Sequence, residues 1–283
     1  MTSGIHDIFV IGTASQDTVH LADGRLAKSA GGAALYTALA AARSKATTGL
    51  FAPKPQPIPD ILQPISERVT WVGPIIDPEH LPRLEIAHHG GGRATLIDAS
   101  WGAEDQLIPK ALPSKLLDTK TVHIAALSSA QRQFDFAQAL QQHPNPPLIS
   151  AGTYARLVYQ ETDDVHRLFA LANLFFMNEN EAKGLFGSIE QAKTRPGALL
   201  FVTLDAEGVL VIEGSQVTHV LGHPVPEVDP TGAGDTFCGA TLAGLAQGLS
   251  PIAAAQQAVK LAAQTVEAVG PAALLEDLST TAP

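Results

Sequence analysis

Ile8-Phe9-Val10-Ile11 is an unbroken apolar run closed by Gly12, so a strand built from it has no face that tolerates water. Such a strand must be covered on both sides, the condition of a parallel sheet between helices. From Thr121 onward the same logic repeats. VHIAAL reads as a strand, a helix follows through Phe134 to Leu140, and PLISA reads as the next strand. A helix around Thr162 to Leu171, an LFFMN strand, an NENEAKGLFG helix and an ALLFVTL strand come next, then the short pair VLVIEG and VTHVLG. Regular strand–helix alternation predicts an α/β fold with a mostly parallel central sheet.

The remaining segments fill in that frame. GGAALYTALAAARSK, from Gly31, is rich in strong helix formers behind a flexible glycine pair, which predicts a helix. Five prolines between Phe51 and Pro64 fix φ and remove amide donors, predicting a stiff surface loop that is neither helix nor central strand. Val69 to Gly73 reads as a strand. Leu84 to Leu107 reads as an antiparallel ribbon around Gly90-Gly91-Gly92. Near the C-terminus, a glycine-rich turn at Thr231 to Gly234 opens a helix that runs to about Gly248. Ser250-Pro251 then caps a second helix that should stop at Gly270-Pro271. No internal repeat of 20 to 50 residues interrupts the pattern.

Charge and cysteine content narrow the function classes. Lys and Arg number 18 against 28 Asp and Glu, a formal charge of −10, which argues against a sequence-independent grip on nucleic acid. Only 16% of residues are charged and 45% are hydrophobic, as in a compact folded protein. The single cysteine, Cys238, excludes an intrachain disulfide and a Cys-based zinc cluster, and a cytoplasmic home is the simplest expectation. Met1 to Asp7 has neither a basic stretch nor a long apolar one, and no run has the length of a membrane span, so neither a leader nor membrane association is expected.

Chemistry concentrates in VDPTGAGDTFCGA, Val228 to Ala240. Small residues let backbone approach a ligand, and the amides of Gly232, Ala233 and Gly234 are expected to point out of a helix N-terminus as a cradle for phosphate oxygens. Asp235 follows directly. A carboxylate beside an anion cradle repels a merely bound phosphate, yet it suits a base that takes a proton from an attacking hydroxyl while the amides hold the transferring phosphoryl group. The P-loop pattern GxxxxGK[ST] is absent, and GxGxxG fails because Phe237 takes the third glycine position after Gly232 and Gly234.

DPTGAGDTF resembles the C-terminal signature of the ribokinase-like (PfkB) family of sugar and nucleoside kinases. GGAALYTALAAA resembles the family's first glycine-pair motif, Asn178-Glu179-Asn180-Glu181 its NxxE motif, and Val202-Thr203-Leu204 with Gly208 its nucleotide strand and turn. The pieces occur in the family's order and span nearly the whole chain. The resemblance implies a three-layer α/β/α domain over residues 1–283, with lid strands inserted at about 14–30 and 84–107. It implies an ATP-dependent kinase for a sugar, polyol or nucleoside hydroxyl, with Asp235 as general base.

Further roles follow from the same resemblance. Asp17, Gly31, Gly32 and Tyr36 are expected at the acceptor substrate. Asn178, Glu181, Thr203, Gly208, Thr231 and Gly270 are expected at the nucleotide, with Glu181 reaching Mg²⁺ through water. Asp229 and the Gly270 region match places where some family members hold a monovalent cation such as K⁺. A monomer or a homodimer paired through the lid fits the family equally.

Departures bear on the acceptor. Tyr36 stands where many members have an asparagine that touches sugar, and Ala33 where some carry lysine. Ile149-Ser150-Ala151-Gly152 lacks an expected aspartate, and no glutamate follows Val122-His123-Ile124. Asp205 replaces a usual glycine in the nucleotide turn. These changes keep open a second reading, a ribokinase-fold binding protein with impaired catalysis. A third, a dinucleotide oxidoreductase, predicts NAD(P) binding. His88-His89 reads as a ribbon element or a lid histidine facing substrate rather than a metal site, and Cys238 as a buried small residue.

Overall fold

A computed structural model describes residues 6–91, 93–113 and 119–276. Its strands are β1 (Ile8–Ile11), β2 (Ser15–His20), β3 (Leu26–Gly31), β4 (Thr48–Phe51), β5 (Lys54–Pro55), β6 (Thr70–Val72), β7 (Ile75–Ile76), β8 (Arg83–Gly90), β9 (Arg93–Ser100), β10 (Thr121–Ile124), β11 (Leu148–Gly152), β12 (Leu174–Asn178), β13 (Leu199–Thr203), β14 (Gly208–Glu213) and β15 (Gln216–Leu221). Its helices are α1 (Ala33–Arg43), α2 (Gln63–Ser66), α3 (Ala130–Gln141), α4 (Ala155–Gln160), α5 (Thr162–Leu171), α6 (Glu179–Phe186), α7 (Ala233–Ala246), α8 (Pro251–Val266) and α9 (Ala272–Leu275).

The central sheet runs β15-β14-β13-β12-β11-β10-β1-β4-β6. Pairings from β6 across to β13 are parallel, and only β14 and β15 run antiparallel at one edge. Alternate side chains of β1 explain the three layers. Ile8 and Val10 pack into one core with α1, α7 and α8, whereas Phe9 and Ile11 pack into the other with α3, α4, α5 and α6. With both faces covered, the apolar runs have no other place to go. A separate sheet, ordered β3-β2-β8-β9, forms the lid.

Close helix contact fixes where the site falls. A Cβ at Gly239 of α7 would stand 2.1 Å from the Thr37 carbonyl of α1, so only glycine permits this approach. Consequently the glycine-rich N-termini of α1 and α7 lie side by side beyond the carboxyl end of β1, in the crevice where open α/β sheets bind ligands.

Three expectations need correction. The stretch from 51 to 64 is not a simple surface loop, because Phe51, Ala52, Pro53 and Pro55 are buried and β5 pairs with β7. The amides on either side of Pro55 carry that pairing: Lys54 donates to Pro74 O at 2.8 Å and Gln56 to Ile76 O at 2.9 Å. Pro64 sits in the first turn of α2, where no amide is needed. The ribbon stops at Ser100, and 102–106 form a 3₁₀ turn. Helix α8 ends at Val266, not Gly270, because its terminal carbonyl accepts the amides of Val228 (2.8 Å) and Asp229 (3.1 Å). The short helices α4 and α9 were not anticipated.

Candidate active site

Gly232 caps α7 in the left-handed region (φ 75°, ψ 5°), a conformation that favours glycine. The amides of Gly232 and Gly234 make no hydrogen bond among the described residues. Ala233 differs from expectation, since its amide donates to Pro230 O at 3.2 Å in the turn that precedes the helix. An anion cradle at this turn would rest on the flanking amides. A Cβ at Gly232 would come within 2.4 Å of the Tyr36 ring, so that ring lies flat under the cradle.

Two cavities meet at this point. The smaller, about 250 Å³, is lined by Asp235, Glu181, Gly234, Ala33, His123 and the Gly152-Thr153-Tyr154 turn. The larger, about 420 Å³, is lined by Thr203, Asp205, Gly208, the 222–225 segment and the apolar face of α8 at Val259, Ala262, Ala263 and Val266. Asn178, Thr203, Gly234 and Phe237 line both, so a single elongated ligand could run from one into the other past the N-terminus of α7.

Burial raises the Asp235 carboxyl from 3.8 to about 7. Glu181 is likewise pushed up from 4.5 to about 7, first by burial and further by the charge of Asp235. Its carboxylate is held in a capping box: Asn178 N donates to Oε2 at 2.9 Å, Asn178 Nδ2 donates to Oε1 at 2.8 Å, and Glu181 N donates to Asn178 Oδ1 at 2.9 Å. The NxxE spacing is thus a helix N-terminus signal first, and the box fixes a carboxylate on the cavity wall.

The expected acceptor residues are together but shut in. Asp17 is 3% exposed and Tyr36 1%, and neither Asp17, Gly31, Gly32 nor Tyr36 lines either of these two cavities. Asp17 accepts from Leu84 N at 3.2 Å and lies so close to Gly31 that a Cβ there would meet its Oδ2 at 1.8 Å. Burial, opposed by the Ser15 hydroxyl and the Leu84 amide, leaves its carboxyl at about 6. The Tyr36 hydroxyl is buried without a close hydrogen-bond partner. Its ionisation is driven well above the usual range by burial and then by the charges of Asp229, Asp17 and Asp235.

Asp229, buried, gathers Thr231 and Gly270 into a second group. Thr231 N donates to Asp229 Oδ1 at 2.9 Å and Gly270 N donates to Oδ2 at 2.8 Å. Asp205 lines the larger cavity at φ 50°, its carboxyl raised by burial and then by Glu179 and Glu227. His89 is exposed and bonds Thr95 Oγ1 at 2.9 Å, whereas His88 turns inward.

Sequence reasoning missed the wall opposite Asp235. His123 is fully buried, 2.8 Å from Ser150 Oγ, and burial drops its imidazole to about 3, so it stays neutral. Strands β10 and β11 place these two residues in direct register. A lone histidine inside VHIAAL was the available signal, because polar groups buried in a central strand need a partner from the next strand. Cys238, beside His123, is buried with its thiol ionisation pushed well up, as its inert reading required.

The parallel sheet, the lid sheet and the glycine-rich turn beside Asp235 together describe a ribokinase-like fold. Comparison with known proteins agrees. The profile of the pfkB family carbohydrate kinases matches residues 3–278. A cytidine kinase of Thermococcus kodakarensis is 30% identical over 259 residues, covering 86% of this chain and 89% of that protein. An adenosine kinase structure from Sinorhizobium meliloti superposes with a TM-score of 0.80 at 20% identity, over 95% of this chain and 96% of that one. A ribokinase from Cryptococcus neoformans, solved in complex with ADP, gives 0.81 at 20% identity over 97% and 98%. The chain belongs to the pfkB family of carbohydrate kinases, phosphotransferases that act on hydroxyl groups.

Proposed function

We propose that this chain transfers the γ-phosphoryl group of ATP to a hydroxyl of a nucleoside, sugar or related polyol, with Asp235 as the general base. One observation carries the reading: Asp235 and Gly234, whose amide has no partner among the described residues, line the same small cavity, which opens into a larger one suited to a nucleotide. The apolar face of α8 would receive the base and the Gly208 turn the ribose and phosphates. The γ-phosphoryl group would then lie at the α7 amides. The acceptor oxygen attacks phosphorus, its proton passes to Asp235, and the bond to the ADP oxygen breaks. The Gly232 and Gly234 amides meet the charge that grows on the phosphoryl oxygens.

The donor set fits magnesium. The charge of Asp235 raises the proton affinity of Glu181 across a small cavity, and a hydrated divalent ion held by these two carboxylates would relieve that repulsion. Among the described residues no cluster of three or more His, Cys, Asp or Glu side chains could hold a metal by itself, so an ion here would have to be held chiefly through water and phosphate. When bound, magnesium neutralises phosphate charge; orientation and proton transfer fall to Asn178, Glu181 and Asp235.

A coupled ADP-release screen over nucleosides, sugars and inositols with ATP and Mg²⁺ tests this function. Turnover that requires one acceptor class supports it. The burial of Asp17 and Tyr36 favours the second reading, a binding protein with impaired catalysis. That reading predicts acceptor binding by calorimetry with no acceptor-dependent ADP.

A further inference from the structure

Asp229 lies two residues before the turn that carries the cradle, and its side chain is 0% exposed. Two backbone amides already hold its oxygens: Thr231 N on Oδ1 and Gly270 N on Oδ2. A third partner comes from the lid. His88 Nε2 lies 3.1 Å from Asp229 Oδ1 and 2.9 Å from Thr231 Oγ1, with the imidazole only 2% exposed. Of the residues in β8, His88 alone is buried. The register of β8 against β9 shifts between His88 and Gly90, and irregularities of this kind re-aim a side chain.

The protonated nitrogen can be assigned from these neighbours. His88 Nδ1 is buried with no partner, while Nε2 faces two oxygens. The proton therefore belongs on Nε2, where it meets the carboxylate. A hard monovalent cation prefers a shell of oxygens. Here every group recorded on Asp229 is a nitrogen donor, and the side facing the lid carries an N–H that would repel a cation. The residues present do not fit such an ion.

Resting on the kinase reading above, we propose that His88 is a positioning residue that takes the place of a monovalent cation at Asp229, so that phosphoryl transfer by this chain needs no K⁺. The imidazole pins both the Asp229 carboxylate and the Thr231 hydroxyl, and so holds the turn from which the Gly232 and Gly234 amides project. It also makes the lid part of that turn, because the pinning residue belongs to β8. Reaction order and chemistry at Asp235 are unchanged; what changes is the group that keeps the cradle in shape.

The test uses the wild type, His88→Ala and His88→Gln in buffers whose only added salt is KCl, NaCl or tetramethylammonium chloride. Two quantities are read: acceptor-dependent ADP formation and the unfolding temperature of the nucleotide-free protein. The wild type is expected to turn over within about twofold across the salts and to show no K⁺-specific rise in unfolding temperature. His88→Ala should lose at least tenfold in tetramethylammonium, recover in K⁺, and gain a K⁺-specific rise in unfolding temperature. His88→Gln, which keeps an N–H donor, should recover part of the loss without K⁺. A wild type activated severalfold or stabilised by K⁺ overturns the proposal, as does a His88→Ala protein indifferent to salt by both readouts. If no acceptor is turned over, the kinase reading fails while the unfolding series still decides the role of His88. If His88→Ala does not fold, the wild-type and His88→Gln series decide it.

Discussion

Replacing Asp235 by asparagine should stabilise this protein while disabling it, and the size of the gain follows from the site. Burial displaces the Asp235 carboxyl from 3.8 to about 7. At ~1.4 kcal/mol per pH unit, the ionised side chain costs the fold up to about 4 kcal/mol. The carboxylate borders a cavity, and solvent relaxation there lowers the expected value to about 2 to 4 kcal/mol. The sign is fixed by linkage: a carboxyl that binds its proton more tightly when folded adds stability below pH 3.8, and that stability disappears as pH rises through 7. Asparagine has no such dependence. Without nucleotide or metal, Asp235→Asn should therefore unfold roughly 4 to 8 °C higher than wild type at pH 8.5, with the gap still about half as wide near pH 5 and closing only below about pH 4. Paired thermal melts at half-unit pH steps give the curve. Parallel curves, or a variant that is less stable at pH 8.5, would refute the desolvated state assigned to Asp235.

Other consequences are equally specific. Gly232→Ala forces a methyl group into the Tyr36 ring from a left-handed backbone and should cost about 2 to 4 kcal/mol in urea unfolding; a loss under about 0.5 kcal/mol would remove Tyr36 from beneath the cradle. Asn178→Ala should lower stability by about 1 kcal/mol through the lost cap and should also weaken Mg²⁺-dependent turnover, because it frees Glu181. Glu181→Gln should lower turnover at least about tenfold while metal-free nucleotide affinity, measured by calorimetry, changes little. Since Asp235 acts deprotonated, log kcat/KM should climb by about one per pH unit up to about 7 and then level off; a flat profile from pH 5.5 to 8.5 would contradict the assignment.

Much of this architecture was legible because local and global signals agree. Ile8–Ile11 and the strands from Thr121 carry their double burial openly in sequence, and helix α7 announces itself through Gly232 and Asp235. Glu181 was legible for a mechanical reason, since a capping box leaves a fixed spacing. The misses share a cause in contacts between distant segments. Helix α8 ends where Val228 and Asp229 take its carbonyl, and no local residue reports that. Burial of Tyr36 depends on Gly232, nearly two hundred positions away. His88 reads as a ribbon element or a lid histidine until a register shift turns it onto Asp229.

The most direct measurement of the central claim is phosphoryl transfer by Asp235→Asn, with the best acceptor from the screen, at pH 8 and saturating ATP and Mg²⁺. Asparagine keeps the shape and the cradle but cannot take a proton. Turnover should fall by about 10² to 10⁴ with nucleotide affinity retained. Turnover within about threefold of wild type would show that the acceptor hydroxyl loses its proton elsewhere, and the assignment of Asp235 would be wrong.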